Sequence, residues 1–294
     1  MKYFHGEHKN RTYFEGWYFK HQNGNSAIAF IPGYHIRDNG DKSAFIQVIL
    51  PENSFNFEFP PNQFAAERDR LNIQIADNRF SESGIKINLK NDRISIRGEL
   101  GYDRLTPLKR DAMGPFSVVP FMQCNHGVVS LSHSISGSLE INGRRTDFSG
   151  GGGYIETDWG SSFPKSYLWA QLNGIGGSPF SVMVSIADIP FAGLSFRGCI
   201  ACVLYGGRQY RLATYNGVKI MKYEQNAVAL KRGRYRLEID VYPDNAQPLL
   251  APDNGGMVRE IRESVRCRAR VKFYIDNRLV LNETSDQAGF EYVE

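Results

Sequence analysis

The chain has 294 residues, of which 41% are hydrophobic and 22% charged, with a formal net charge of +4. That is ample apolar material for one large domain or two ordinary ones. The charge is small and its basic residues are scattered apart from 259–270, which argues against a nucleic-acid partner.

No run of about 20 apolar residues occurs, so no transmembrane helix is expected, and Met1 to His8 lack the apolar stretch of a secretory signal. The four cysteines, Cys124, Cys199, Cys202 and Cys267, sit mostly in apolar contexts. A cytoplasmic protein with reduced thiols fits this pattern. Cys199 and Cys202 have the spacing of a redox or metal pair, but they lie in a strand-like apolar run and read as structural thiols.

Read in chain order, His5 and His8 belong to a loose terminus. An aromatic segment follows, Tyr13-Phe14-Glu15-Gly16-Trp17-Tyr18-Phe19-Lys20, then an Asn-Gly turn and an apolar strand from Ala27 to Tyr34. Gln63 to Asp69 is the best candidate for a short helix. Beyond it, apolar residues alternate with polar ones at Leu71, Ile73 and Ile75, at Ile85, Ile87 and Leu89, and at Ile94 and Ile96. The same two-residue period returns at Tyr235, Leu237, Ile239 and Val241 and at Val271, Phe273 and Ile275, and it marks strands with one face on a core. Asn-Gly pairs at 23–24, 39–40, 142–143, 173–174, 216–217 and 254–255 supply the positive φ angles of tight hairpins. The fold class is therefore all-β, a sandwich or barrel.

A loose internal echo divides the chain. Trp17 to Gly24 followed by Ala27 to Tyr34 resembles Trp169 to Gly174 followed by Phe180 to Phe191. With the glycine run 150–153 between them, this predicts two β domains, 1–148 and 149–294.

The chemistry is concentrated where carboxylates sit among rings. An apolar wall raises a carboxyl's pKa and lets it donate a proton near neutrality, and aromatic faces stabilise a developing cation. Glu156 and Asp158 are two apart, so they share one strand face, and Thr157 points away. One of the two is a candidate proton donor, the other its partner; alternatively both cap a turn and pair with arginines of the tail. Glu15, between Phe14 and Trp17, is a second candidate acid or a buried ion-pair partner. Trp17, Tyr18, Tyr34, Tyr154, Trp159 and Trp169 are candidates to line a ligand pocket or to fill cores. His126 is a candidate orienter of a carboxylate or a satisfied core histidine, and Gln171 could hold a hydroxyl of the ligand. Arg259 and Glu263 are expected in structural ion pairs. No metal-ligand spacing, Gly-x-Ser-x-Gly elbow or phosphate loop occurs, so no metal is expected.

Several blocks together resemble the tocopherol cyclase family: Phe14 to Lys20, Pro32-Gly33-Tyr34, Pro120-Phe121-Met122, His126-Gly127-Val128 and Gly153-Tyr154-Ile155-Glu156. Asp158-Trp159-Gly160, Phe163-Pro164, Trp169-Ala170-Gln171, Met257-Val258-Arg259, Glu263-Ser264 and Ala288-Gly289-Phe290-Glu291 extend the match to nearly the whole chain. The resemblance implies two lipocalin-like antiparallel β-barrel domains packed together around a hydrophobic ligand. It also implies cofactor-independent chemistry, in which an acid protonates a prenyl double bond and a ring phenol captures the cation. A glutamate often follows the methionine of the Pro-Phe-Met block in the family, whereas Gln123 stands here. The expected partner is a prenyl lipid, with peripheral contact to a membrane surface. A non-catalytic carrier of a hydrophobic molecule and an isoprenoid hydratase are the rival readings.

Overall fold

The computed structural model describes residues 3–119, 122–174, 180–191 and 194–294, and among them the chain is antiparallel β-structure almost throughout. Twelve described strands make the first sheet: β1 (Tyr13–Asn23), β2 (Ser26–Ile36), β3 (Lys42–Ile49), β4 (Ser54–Phe59), β5 (Phe64–Ala66) and β6 (Asn72–Ile75) come first. They are followed by β7 (Asn78–Ser81), β8 (Gly84–Lys90), β9 (Ser95–Tyr102), β10 (Cys124–Ile141), β11 (Arg144–Asp147) and β12 (Gly152–Gly160). Ten more make the second: β13 (Tyr167–Asn173), β14 (Phe180–Phe191), β15 (Leu194–Tyr205), β16 (Arg208–Ala213) and β17 (Lys219–Glu224). These lead to β18 (Ala227–Arg232), β19 (Tyr235–Tyr242), β20 (Gln247–Asp253), β21 (Gly256–Ile275) and β22 (Arg278–Val293).

The two sheets share one plan. The first runs β4-β3-β2-β1-β12-β10-β9-β8-β7-β6-β5, with β11 on β10, and the second runs β16-β15-β14-β13-β22-β21-β19-β18-β17, with β20 on β21. In each, four hairpin-linked strands lie beside the final strand of the same unit, as an internal echo demands. β12 pairs with both β1 and β10, so the first sheet extends to Gly160. The sequence boundary at 148/149 therefore falls before the last strand of that sheet, because the glycine run 150–153 turns back into it instead of leaving it.

Strand periodicity sorts side chains into three cores. Trp17, Phe19, Ile28 and Phe80 fill the inside of the first sheet, and Leu172, Val184, Leu237 and Phe273 the inside of the second. A third cluster, including Tyr18, Val128, Tyr154, Trp169 and Ile261, lies between the two. Each large apolar side chain so buried contributes roughly 1.5–3 kcal/mol.

Each unit also lays an arm on the other. From the first, the loop after β9 bonds the second: Lys109 N donates to Gln209 Oε1 at 2.9 Å, and Arg211 reaches the carbonyls of Arg110 and Asp111. From the second, the β20–β21 hairpin bonds Gln47 through both the amide and the carbonyl of Leu250. Its turn, Asn254-Gly255, has φ of 48° and 78°, and a Cβ on Gly255 would lie 2.2 Å from the Ile36 carbonyl. Only glycine suits that close approach.

Two sequence expectations need correction. Residues 63–69 are not a helix: Pro60 and Pro61 set up a 3-10 turn over Pro61–Gln63, after which Phe64 starts a strand and stacks on Tyr34 at 4.7 Å. Nor is His5 loose. Its ring lies 4.0 Å from that of Trp159, nearly parallel, and its backbone N–H donates to Glu15. The turn beyond Asn173-Gly174 and the residues Pro120 and Phe121 lie outside the described residues. Among the described residues no helix is long and apolar enough to cross a membrane.

Candidate active site between the two sheets

Alternation along β12 decides which acids face the second unit. Tyr154, Glu156 and Asp158 point outward from the first barrel towards β13, while Ile155 and Trp159 pack into the first core. The same rule applied to β1 sends Phe14, Gly16 and Tyr18 to the interface, and Trp17 and Phe19 inward. Cross-strand register then puts Tyr18 beside Glu156, Gly16 beside Asp158 and His126 on the other side of Asp158.

These side chains border a pocket of about 170 Å³. Its rings come from both units. Tyr18 meets Trp169 edge-on at 5.3 Å, and Phe163 meets Phe14 at 5.4 Å and Tyr167 at 5.9 Å. Met113, Phe116 and Met122, from the arm that precedes β10, lie along it. Gly16 contributes bare backbone to the wall.

Glu156 is 5% exposed. Its Oε2 accepts hydrogen bonds from Tyr154 Oη at 2.5 Å and Trp169 Nε1 at 3.1 Å. Among the described residues its Oε1 has no hydrogen-bond partner, so a proton carried there faces the pocket. Burial pushes the pKa up to about 7; His126 pulls it down, Asp158 raises it, and the two hydrogen bonds lower it. A carboxyl poised at neutrality has the strength a general acid needs. His126 Nδ1 lies 2.9 Å from Asp158 Oδ1, and its Nε2 lies 3.6 Å from Glu156 Oε2. Burial opposes the histidine's charge, but Asp158 and Glu156 outweigh that and hold its pKa at about 9. At neutral pH it is an imidazolium bridging two carboxyls, with Asp158 fixing its ring. No arginine of the tail pairs with either acid among the described residues.

The opposite wall carries two further acids, Glu263 and Glu291, neighbours across the β21–β22 ladder. Tyr18 donates to Glu263 and Tyr167 to Glu291. Burial raises Glu263 to about 7 against the pull of Tyr18 and Lys20, with Glu156 adding to the rise. Glu291 is raised well above the ordinary carboxylate range by burial and then by Glu263. The ion pairs expected of Arg259 and Glu263 between the halves do not form among the described residues. Arg259 instead donates to the carbonyls of Pro164, at 2.7 Å, and Lys165.

The remaining candidates separate by face. Glu15 is fully buried on the inner side of β1, where Tyr13 Oη and the His5 backbone and ring bind it at 2.5–2.8 Å. It lies in a row with Tyr34 and Trp159 inside the first barrel, away from the pocket, and Trp17 belongs to the same core. Gln171 is spent on the seam between the units: its Oε1 accepts from Lys20 Nζ at 3.2 Å and its Nε2 donates to Asn173 at 2.7 Å. Gln123 gives its backbone carbonyl to Ser161 N at 2.9 Å.

His126, Glu156 and Asp158 bring one possible ligand atom each within 4.8 Å of one another, a donor set that could hold a cation. Strand pairing assembles it, which is why no local spacing announced it. Its hydrogen bonds already commit His126 Nδ1 to Asp158 and Glu156 Oε2 to Tyr154 and Trp169, so the group fits proton chemistry better than a metal.

Comparisons with known proteins agree with this picture at the level of family and fold. The model of the "Tocopherol cyclase-like" family matches residues 89–293. Over 93 residues the chain is 26% identical to "Probable tocopherol cyclase, chloroplastic" of Oryza sativa subsp. japonica and to "Tocopherol cyclase, chloroplastic" of Zea mays. Those matches cover 32% of this chain and 20% of either relative's length. Among solved structures, kievitone hydratase from Nectria haematococca superposes with a TM-score of 0.54 at 13% identity, covering 95% of this chain and 88% of that one.

Proposed function

This chain belongs to the tocopherol cyclase-like family, and we propose that it cyclises a prenylated hydroquinone by acid catalysis without a cofactor. The observation that carries the reading is Glu156, a buried carboxyl with a pKa near 7 whose unbonded oxygen faces a ring-lined pocket.

Glu156 donates its proton to one carbon of the prenyl double bond, and the positive charge settles on the more substituted carbon. Tyr18 and Trp169 stand beside it, and a cation over a desolvated ring is stabilised by about 2 kcal/mol. The phenol oxygen then closes the new ring, faster than water can reach the cation in a largely apolar enclosure. Tyr154 and Trp169 hold the carboxyl in position, and the His126–Asp158 pair supports the carboxylate left after transfer. A cavity of about 150 Å³ accepts one benzene ring. The pocket therefore suits the ring, with the prenyl arm leaving past Met113 and Phe116.

A hydratase uses the same acid but admits water to the cation, and the several carboxyl oxygens without protein partners among the described residues favour that second reading. Incubation of the purified protein with 2-methyl-6-phytylbenzoquinol and mass analysis separates them. Cyclisation leaves the mass unchanged, hydration adds one water, and binding without product marks a carrier. Loss of product with Glu156→Gln is expected; full activity in that variant would end the proposal.

A further inference from the structure

The protonation step leaves the second wall of the pocket unused. Glu263 and Glu291 face one another directly on β21 and β22, are 3% and 7% exposed, and both line the pocket. Each is anchored through one oxygen by a tyrosine hydroxyl, Tyr18 and Tyr167 respectively. The nearby cation, Lys20, spends its Nζ on Gln171 Oε1 at 3.2 Å and the Gln287 carbonyl at 2.7 Å, and forms no ion pair with Glu263. Two carboxyls so placed cannot both ionise at low cost, so the pair retains one proton. It then presents an O–H donor and a carboxylate acceptor side by side, the complement of a hydroxyl that must both accept and donate.

Resting on the cyclase reading, we infer that Glu263 and Glu291 bind the phenolic hydroxyl of the substrate and take up its proton as the oxygen–carbon bond forms. The step balances without any redox partner. Glu156 on the first sheet gives a proton to an alkene carbon. An oxygen lone pair of the phenol forms the new bond to the cationic carbon, the O–H bond breaks, and its proton passes to the ionised member of the pair. The pair then releases a proton to solvent and Glu156 takes one up. Acid and base thus stand on different sheets, and the docking of the two units sets which face of the alkene is protonated relative to the oxygen that closes the ring.

The test uses the full chain, wild type, E263Q/E291Q and E263L/E291L, with geranyl methylhydroquinone and its dimethyl ether as probes in deuterated buffer. Wild type is expected to bind the free hydroquinone about tenfold or more tighter than the ether, since a site built for a hydroxyl rejects the analogue that lacks one. In E263L/E291L, which removes donor and acceptor alike, that preference should fall below about twofold; in E263Q/E291Q, whose amides cannot take up the proton, chromanol formation should slow by about 100-fold. Deuterium uptake into the alkene, which needs only Glu156, should continue. An unchanged preference, or chromanol formation within about threefold of wild type, overturns the inference. A wild type that takes up no deuterium and makes no product would instead sink the reading of Glu156, and the affinity comparison still decides the pair. Should either double variant lack a cooperative thermal transition, its two substitutions are read singly by the same comparison.

Discussion

Tyr18 on β1 donates its phenolic hydrogen to Glu263 on β21 at 2.5 Å, joining residues 245 positions apart across the two sheets. The same ring meets Trp169, whose indole N–H holds Glu156. One tyrosine therefore ties both acid walls together. Tyr18→Phe keeps the ring and removes the bond, and stranding a buried carboxyl in this way costs about 1–3 kcal/mol. The expected result is a lower thermal midpoint and a higher Glu263 pKa, because the lost bond is one of the influences holding that pKa down. A double-mutant cycle with Glu263→Leu, which removes the acceptor that Gln would keep, should give a coupling of about 1 kcal/mol; simple additivity would refute the bond.

Glu156 and Glu15 allow a sharper contrast. Both are buried glutamates bonded by a tyrosine two residues earlier, Tyr154 and Tyr13. They differ in the face of the sheet they occupy. Glu156→Gln is expected to lower turnover by about 10²–10⁴-fold, the usual contribution of a positioned general acid. Glu15→Gln should leave turnover near wild type while destabilising the fold by about 1–3 kcal/mol, because the amide cannot accept equally from Tyr13 and His5. Steady-state assays paired with thermal melts check this, and inactivity of a fully stable Glu15→Gln would contradict the assignment of faces.

Much of this was legible from strand periodicity alone. Glu156, Asp158 and Thr157 sort as alternation requires, and the β1 and β13 hairpins occupy equivalent places in their sheets. What the sequence concealed was which side of each strand faces the other unit. Trp17, Tyr34 and Trp159 have the same aromatic character as Tyr18 and Trp169, yet they fill the first core. Glu263 and Glu291 did carry a signal. Ile261, Glu263 and Val265 share a strand face, so the acid interrupts an apolar stripe. Reading Glu263 as a structural ion-pair residue between the halves hid it, since the sequence does not show that its partner is the hydroxyl of Tyr18. His126 needed β10 to pair with β12, a contact that spans 32 residues.

Stability against pH should show two opposing buried populations. His21 and His133 are held neutral, with pKa values lowered by burial to about 3. Below about pH 6.5 the unfolded chain gains protons there that the folded chain refuses, so acidification destabilises by about 1.4 kcal/mol per unit per histidine. Glu156 and Glu263, raised to about 7 from 4.5, act oppositely: they oppose folding above pH 4.5, and acidification from 7 to 4.5 relieves them. His126 contributes fully below pH 6.5 and is lost as pH rises through about 9. Denaturant unfolding should thus change little between pH 7 and 4.5, then weaken steeply towards pH 3. His21→Gln with His133→Gln should flatten that acid limb; an identical limb in the variant would clear the histidines.

Gly16 offers a test of the pocket that leaves every acid in place. It stands opposite Asp158 on the pocket wall, and a Cβ there would find its nearest protein atoms at 3.8 Å and 3.9 Å, ordinary contact distances. Its backbone does not need a positive φ, so a side chain enters without strain, and Val is favoured over Gly in a strand by up to about 1 kcal/mol. The added methyl groups project into the space assigned to the substrate. Gly16→Val is therefore expected to keep or raise the thermal midpoint while turnover falls by about tenfold or more, with Gly16→Ala in between. Undiminished turnover in a stable Gly16→Val protein would place the substrate elsewhere.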